Sequence, residues 1–139
     1  MPLLEENEEM SQPKVVITDS SDIFTEESRA LIMAAGMELV DAERDRLDPL
    51  EAAQNADGLL VGWFRVPREV LSQLRRCKVI VRLGVGYDII DAGAARELGI
   101  AVCNVPDYCT HEVADHAVAL ALTLVRRINY LDACVRKGI

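Results

Sequence analysis

At 139 residues the chain has room for one domain with a real core and not for two. A formal net charge of −8 leaves no excess of Lys and Arg to neutralise phosphates, so neither nucleic acid nor an anionic membrane is an expected partner. Half the residues are apolar, 27% are charged and only 4% are aromatic, which argues against a disordered chain and predicts an aliphatic core.

Residues 1–13 read as a flexible acidic leader with no basic-then-apolar signal pattern. No apolar run approaches the roughly 18 residues that a membrane span needs, so a cytoplasmic location is expected. Lys14–Ser20 (KVVITDS) is rich in β-branched residues and predicts a first strand. Thr25–Gly36 predicts a helix carrying Leu31, Ile32 and Met33, with Gly36 to end it. Met37–Asp41 predicts a second strand. A short helix is expected over Leu47–Ala56, with Asp48 as its cap and Pro49 in its first turn.

Asp57–Phe64 (DGLLVGWF) predicts a third strand, Pro67–Arg75 a helix opened by proline, and Lys78–Leu83 (KVIVRL) a fourth strand. Asp91–Gly99 predicts a helix between an early aspartate and a terminal glycine. Ile100–Val105 (IAVCNV) predicts a fifth strand, stopped by Pro106. Strands alternate with helices, and the strands are near-continuous aliphatic runs, as buried parallel strands are. The expected fold class is therefore α/β, an open parallel sheet with right-handed crossovers.

From Thr110 to about Lys137 neither proline nor glycine interrupts, and one long helix is expected. Val113, Ala117, Leu120, Leu124, Ile128 and Leu131 recur three or four apart along one face of it. A wide apolar stripe of this kind asks for a partner surface. The sequence thus reads as a fragment of something larger, or as a chain that pairs with itself. The four cysteines, Cys77, Cys103, Cys109 and Cys134, form no CxxC pair and are expected as reduced thiols.

Leu83-Gly84-Val85-Gly86-Tyr87-Asp88 follows a strong strand. Its two glycines allow a sharp turn with unobstructed amides, which suits either a plain tight turn or a nest for a carboxylate or phosphate. It is not the dinucleotide fingerprint, because Ile89 stands where the third glycine should be. The segment Asn104–Thr110 leaves the fifth strand at the sheet edge where ligands gather; Thr110 or Cys109 could cap the next helix or touch a ligand. His111 and His116 are five apart, about 140° around a helix, so no metal site is expected from them. Asp19 ends the first strand, but a phospho-accepting domain would also want an aspartate where Gly62, Trp63 and Phe64 stand and a lysine where Asn104 stands. Ser20–Thr25 lacks the glycines of a flavin phosphate loop, and no GxSxG nucleophile elbow occurs.

Three segments together carry a family resemblance: ADGLLVGWFRVPREVL (56–71), VIVRLGVGYDIIDAGAARELGIAVCNVP (79–106) and YCTHEVADHAVALALTLVRRI (108–128). From about Lys14 onward the chain resembles the D-isomer-specific 2-hydroxyacid dehydrogenases, the family that includes phosphoglycerate dehydrogenase, glyoxylate reductase and the C-terminal-binding corepressors. The resemblance implies a flavodoxin-like substrate domain over 14–108, an interdomain helix and the start of an NAD-binding domain over 109–139. It places the GxGxxG loop and the catalytic arginine, glutamate and histidine outside these residues, so no catalytic residue is assigned.

The resemblance further implies that the Val85 and Gly86 amides hold the substrate carboxylate, with Trp63 beside a small or partly apolar 2-keto acid. Thr110 and Cys109 fall where the family meets its nicotinamide cofactor. Gly62 and Trp63 replace the Arg-Ser typical of phosphoglycerate dehydrogenases, which weakens that assignment. The implied activity is hydride transfer between NAD or NADP and a small 2-keto or 2-hydroxy acid by a homodimer. This chain alone is expected to be inactive and to hold no cofactor tightly. Two rivals are a corepressor-like protein-interaction domain of the same fold and a stand-alone domain that dimerises through its last helix.

Overall fold

A computed structural model describes residues 12–19 and 21–139. Residues 1–11 of the expected leader lie outside the described residues. The chain divides between Pro106 and Asp107 into two compact units.

The first unit is one wholly parallel sheet. Its strands are β1 (Lys14–Ile17), β2 (Glu38–Asp41), β3 (Gly58–Val61), β4 (Val79–Arg82) and β5 (Ala101–Cys103). They lie in the order β2-β1-β3-β4-β5, a flavodoxin-like open sheet. The connections are α1 (Glu26–Ala34), α2 (Pro49–Ala53), α3 (Arg68–Leu71) and α4 (Ala92–Glu97), with a short 3-10 turn at Ser21–Ile23 before α1. All five expected strands and the four intervening helices are present, each shorter than its sequence run. The runs overshoot because their end residues, apolar ones such as Trp63, Phe64, Leu83 and Val105 included, lie in the loops at the sheet edges.

Local chemistry sets the boundaries. Thr25 Oγ1 accepts from the Ser28 amide at 3.2 Å and opens α1; Gly36, at φ +77°, ends that segment in a conformation that penalises a Cβ. Asp48 accepts from Leu50 N and Glu51 N at 3.0 and 2.9 Å and caps α2, whose first residue is Pro49. Asp91 caps α4 through Ala94 N at 2.8 Å.

The core is aliphatic. Val16, Leu59, Val61, Val66, Leu71 and Ile80 are each almost fully buried. At about 1.5–3 kcal/mol per large side chain removed from water, these positions are the main source of stability. Leu59→Ala would leave a cavity in the central strand, a change that ordinarily costs about 2–5 kcal/mol. Arg29 of α1 is buried with Asp41 at the end of β2, Nη2 to Oδ2 2.6 Å, which ties that helix to the edge strand.

The second unit corrects an expectation. Residues 110–137 form two helices, α5 (Thr110–Val125) and α6 (Ile128–Arg136), not one. Arg127 adopts φ +52°, in the left-handed region. Its amide donates to Leu124 O at 3.2 Å, closing α5, and its carbonyl accepts from Leu131 N at 3.0 Å, opening α6. With neither glycine nor proline there, the sequence carries no break signal. Neither helix contains a buried residue, and Leu124 and Val135 are among its most exposed side chains.

Candidate functional site

The strand order reverses direction between β1 and β3. At such a switch point the loops leaving the two strands diverge and open a crevice at the carboxyl edge, the usual ligand position in an open α/β sheet. Here the protein fills it. The Asp19 carboxylate, just past β1, accepts from Gly62 N at 2.9 Å, from Trp63 N, and from Phe64 N at 3.1 Å. Thr18 Oγ1 donates to the same carboxylate at 2.8 Å. The amides after β3 are therefore spent, and Asp19 is a structural anion that locks this loop.

The loop after β4 is different. Leu83 N donates to Val61 O and Gly84 N to Arg82 O, at 2.8 and 2.9 Å. The next two amides, of Val85 and Gly86, have no acceptor among the described residues, and both residues are exposed. The segment after β5 holds the loop from behind. Asn104 Nδ2 donates to Val85 O at 2.7 Å, and Val105 N donates to Gly84 O at 3.0 Å. These bonds fix the two carbonyls and leave the following N–H groups unspent. A recess of about 260 Å³ adjoins the loop, lined by Tyr87, Ala92, Val102, Cys103 and Asn104.

Trp63 stands exposed, and the Arg82 guanidinium packs over its ring with its central carbon 5.2 Å from the centroid. The structure thus brings Trp63, Val85 and Gly86 to one edge of the sheet. Thr110 and Cys109 belong to the second unit. Thr110 begins α5 with an exposed side chain, and Cys109 is the residue before it, making no side-chain cap. Among the described residues no cluster of His, Cys, Asp and Glu could hold a metal ion. All four cysteines are free thiols; burial pushes the Cys77 thiol above its ordinary pKa. No helix among the described residues is long and apolar enough to cross a membrane.

Sequence reasoning gave no role to Arg82 or Asn104, and weighed Asp19 only as a phosphate acceptor. One signal pointed to Arg82: a cation closing an otherwise aliphatic strand, VIVR. Asn104 and Asp19 work through contacts 19 and 43 or more residues away in the chain, which spacing does not reveal.

Residues 15–136 match the family model for the D-isomer specific 2-hydroxyacid dehydrogenase catalytic domain. The chain belongs to that family. It is 38% identical over 130 residues to D-3-phosphoglycerate dehydrogenase of Mycobacterium bovis, covering 92% of this chain and 24% of that protein. Its fold is similar to a putative D-isomer specific 2-hydroxyacid dehydrogenase from a Polaromonas species, with TM-score 0.70, 31% identity and 91% and 40% of the two chains covered. It is also similar to D-lactate dehydrogenase from Aquifex aeolicus complexed with NAD and lactic acid, with TM-score 0.69, 25% identity and 89% and 37% covered. The chain thus spans about a quarter of the length of the curated relative and about two fifths of the solved structures.

Proposed function

We propose that this chain is the substrate-anchoring portion of an oxidoreductase that transfers a hydride between NAD(P)H and a small 2-keto or 2-hydroxy acid. One observation carries the reading: the Val85 and Gly86 amides stand exposed and unspent at the carboxyl edge of β4, held by Asn104 and Val105. Two N–H groups fixed in place can receive a carboxylate without reorganising, which orients the 2-carbon for reaction. Trp63 stands exposed at the same edge of the sheet, and its bulk favours a small acid.

For the cofactor, these residues offer the edge of a site and no phosphate loop. The Thr110 hydroxyl, exposed at the start of α5, and Cys109 beside it are the groups that would meet the nicotinamide. When bound, the cofactor supplies the hydride. The proposal includes the domain roles suggested by the resemblance, with 14–108 binding substrate and 109–139 leading toward the cofactor. It also includes pairing of two copies, supported by the exposed apolar residues of α5 and α6; light scattering should give twice the monomer mass.

The test is a 15N–1H NMR titration of this chain with D-lactate. The Val85 and Gly86 amides should shift in a saturable way, while Gly62, Trp63 and Phe64, already bonded to Asp19, should not. An unmoved Val85–Gly86 pair at saturating ligand would overturn the reading. The chain alone should show no NADH oxidation with glyoxylate.

A further inference from the structure

Trp63 limits the size of the acid in the reading above, yet its own side chain is held by little. It is 73% exposed, and the Arg82 guanidinium covers one face of the ring. Where the indole stands is therefore decided by the main chain beneath it.

That main chain is fixed at both ends of its loop. At the far end Val66 N donates to Ile89 O at 2.8 Å and Asp91 N to Val66 O at 3.0 Å, a bridge to the segment after β4. At the near end, among the described residues, the main chain of 62–64 hydrogen-bonds to one group, the Asp19 carboxylate. Asp19 comes from a different strand and is itself firmly placed. Thr18 before it is fully buried, with its amide on Leu60 O at 3.0 Å and its hydroxyl on Asp19 Oδ1 at 2.8 Å. Three amides and a hydroxyl thus meet one carboxylate, an acceptor-only group with about four lone-pair sites. Asparagine has the same size but offers one oxygen and turns N–H donors toward the same amides. Glutamate keeps the charge but carries it one methylene further out.

We propose that Asp19 is a positioning residue for substrate size. It does not touch the acid; by gathering the amides of 62–64 it sets where the indole of Trp63 stands, and so how large a side chain the acid can carry. The proposal rests on the reading of Trp63 above and extends selectivity to a residue that leaves β1, on the far side of the loop from the acid.

The experiment compares D-lactate with D-2-hydroxy-4-methylpentanoate, in which an isobutyl group replaces the methyl. Both are titrated into this chain and followed through the Val85 and Gly86 amides. The wild type should bind D-lactate about tenfold more tightly. Trp63→Ala should bring that ratio near one, and Asp19→Asn should lower it to about threefold. The double variant should match Trp63→Ala alone, because the carboxylate acts through the indole. A role confined to folding would weaken both acids alike and leave the ratio unchanged. An Asp19→Asn protein that is folded by its amide spectrum and keeps the wild-type ratio would therefore overturn the proposal while leaving Trp63 its role. A double variant in which the two losses multiply would also overturn it. If Asp19→Asn does not fold, Asp19→Glu carries the same comparison and should also lower the ratio. A wild-type ratio near one removes the role of Trp63 and the proposal with it. If neither acid moves Val85 and Gly86, the anchoring reading fails. The fluorescence anisotropy of Trp63, the only tryptophan, then decides alone: it should fall in Asp19→Asn, and an unchanged value overturns the proposal.

Discussion

The loops after β3 and β4 begin alike. Both leave a parallel strand at the same sheet edge, and both carry a glycine within their first two residues, Gly62 after β3 and Gly84 after β4. One is closed by the chain's own carboxylate: Asp19 takes the amides of Gly62, Trp63 and Phe64. The other has no such internal anion, and Val85 and Gly86 keep their N–H groups open. The crevice that topology would nominate for a ligand, between β1 and β3, is thus used for structure, and the candidate site moves one strand over. Amides alone do not make a site; what matters is whether the fold has already supplied their acceptor.

The strongest way to break this contrast is to empty the filled loop. Asp19→Ala leaves several amides without their acceptor and should lower stability by about 2–3 kcal/mol, measured by urea unfolding. A loss below about 0.5 kcal/mol would mean that water serves those amides equally well.

A control sits at the opposite edge of the same strands. Asp57 accepts from Lys14 N at 2.8 Å and meets Arg76 at 3.1 Å, and the Lys14 amide is the main cause holding its pKa below the ordinary value, with Arg76 assisting. A carboxylate with a lowered folded pKa contributes stability above its unfolded pKa, about 3.9, and loses it as pH falls through the folded value. Asp57→Asn should therefore cost about 1–2 kcal/mol at pH 7 and progressively less below about pH 4. Urea midpoints of the two proteins that stay equally far apart down to pH 2 would contradict this.

Asn104→Ala sharpens the contrast from the other side. It releases the Val85 carbonyl and should weaken D-lactate binding about fivefold with under about 1 kcal/mol lost in stability. The opposite split would make Asn104 a folding residue. The smallest effect is expected from Asp88→Asn, which removes the negative neighbour of Gly86 and should tighten D-lactate binding about twofold, less so at high salt.

Much of the architecture was legible because it rests on local chemistry. Asp48 before Pro49, Asp91 before an alanine-rich turn, and Gly36 and Gly99 after helical runs each mark a boundary by a backbone demand that only certain residues meet. The aliphatic strands announced a parallel sheet. The GVG loop was visible as an opening for an anion, but its two alternatives could not be separated from sequence. That distinction depends on Asp19, Asn104 and Val105, whose partners come from other strands. The corner at Arg127 was illegible for another reason: an arginine gives no hint of a left-handed backbone, which it adopts at a cost of about 1 kcal/mol or more.

That corner has a consequence for the apolar stripe. Leu124 and Ile128 fall on different rods, so the seam read from the sequence is two short ridges joined through the backbone of Arg126 and Arg127. Because the residue there carries a Cβ, the junction is a stop and not a swivel. Arg127→Gly would lower the conformational cost of the bend and widen the range of angles it can take, trading a defined surface for an adaptable one.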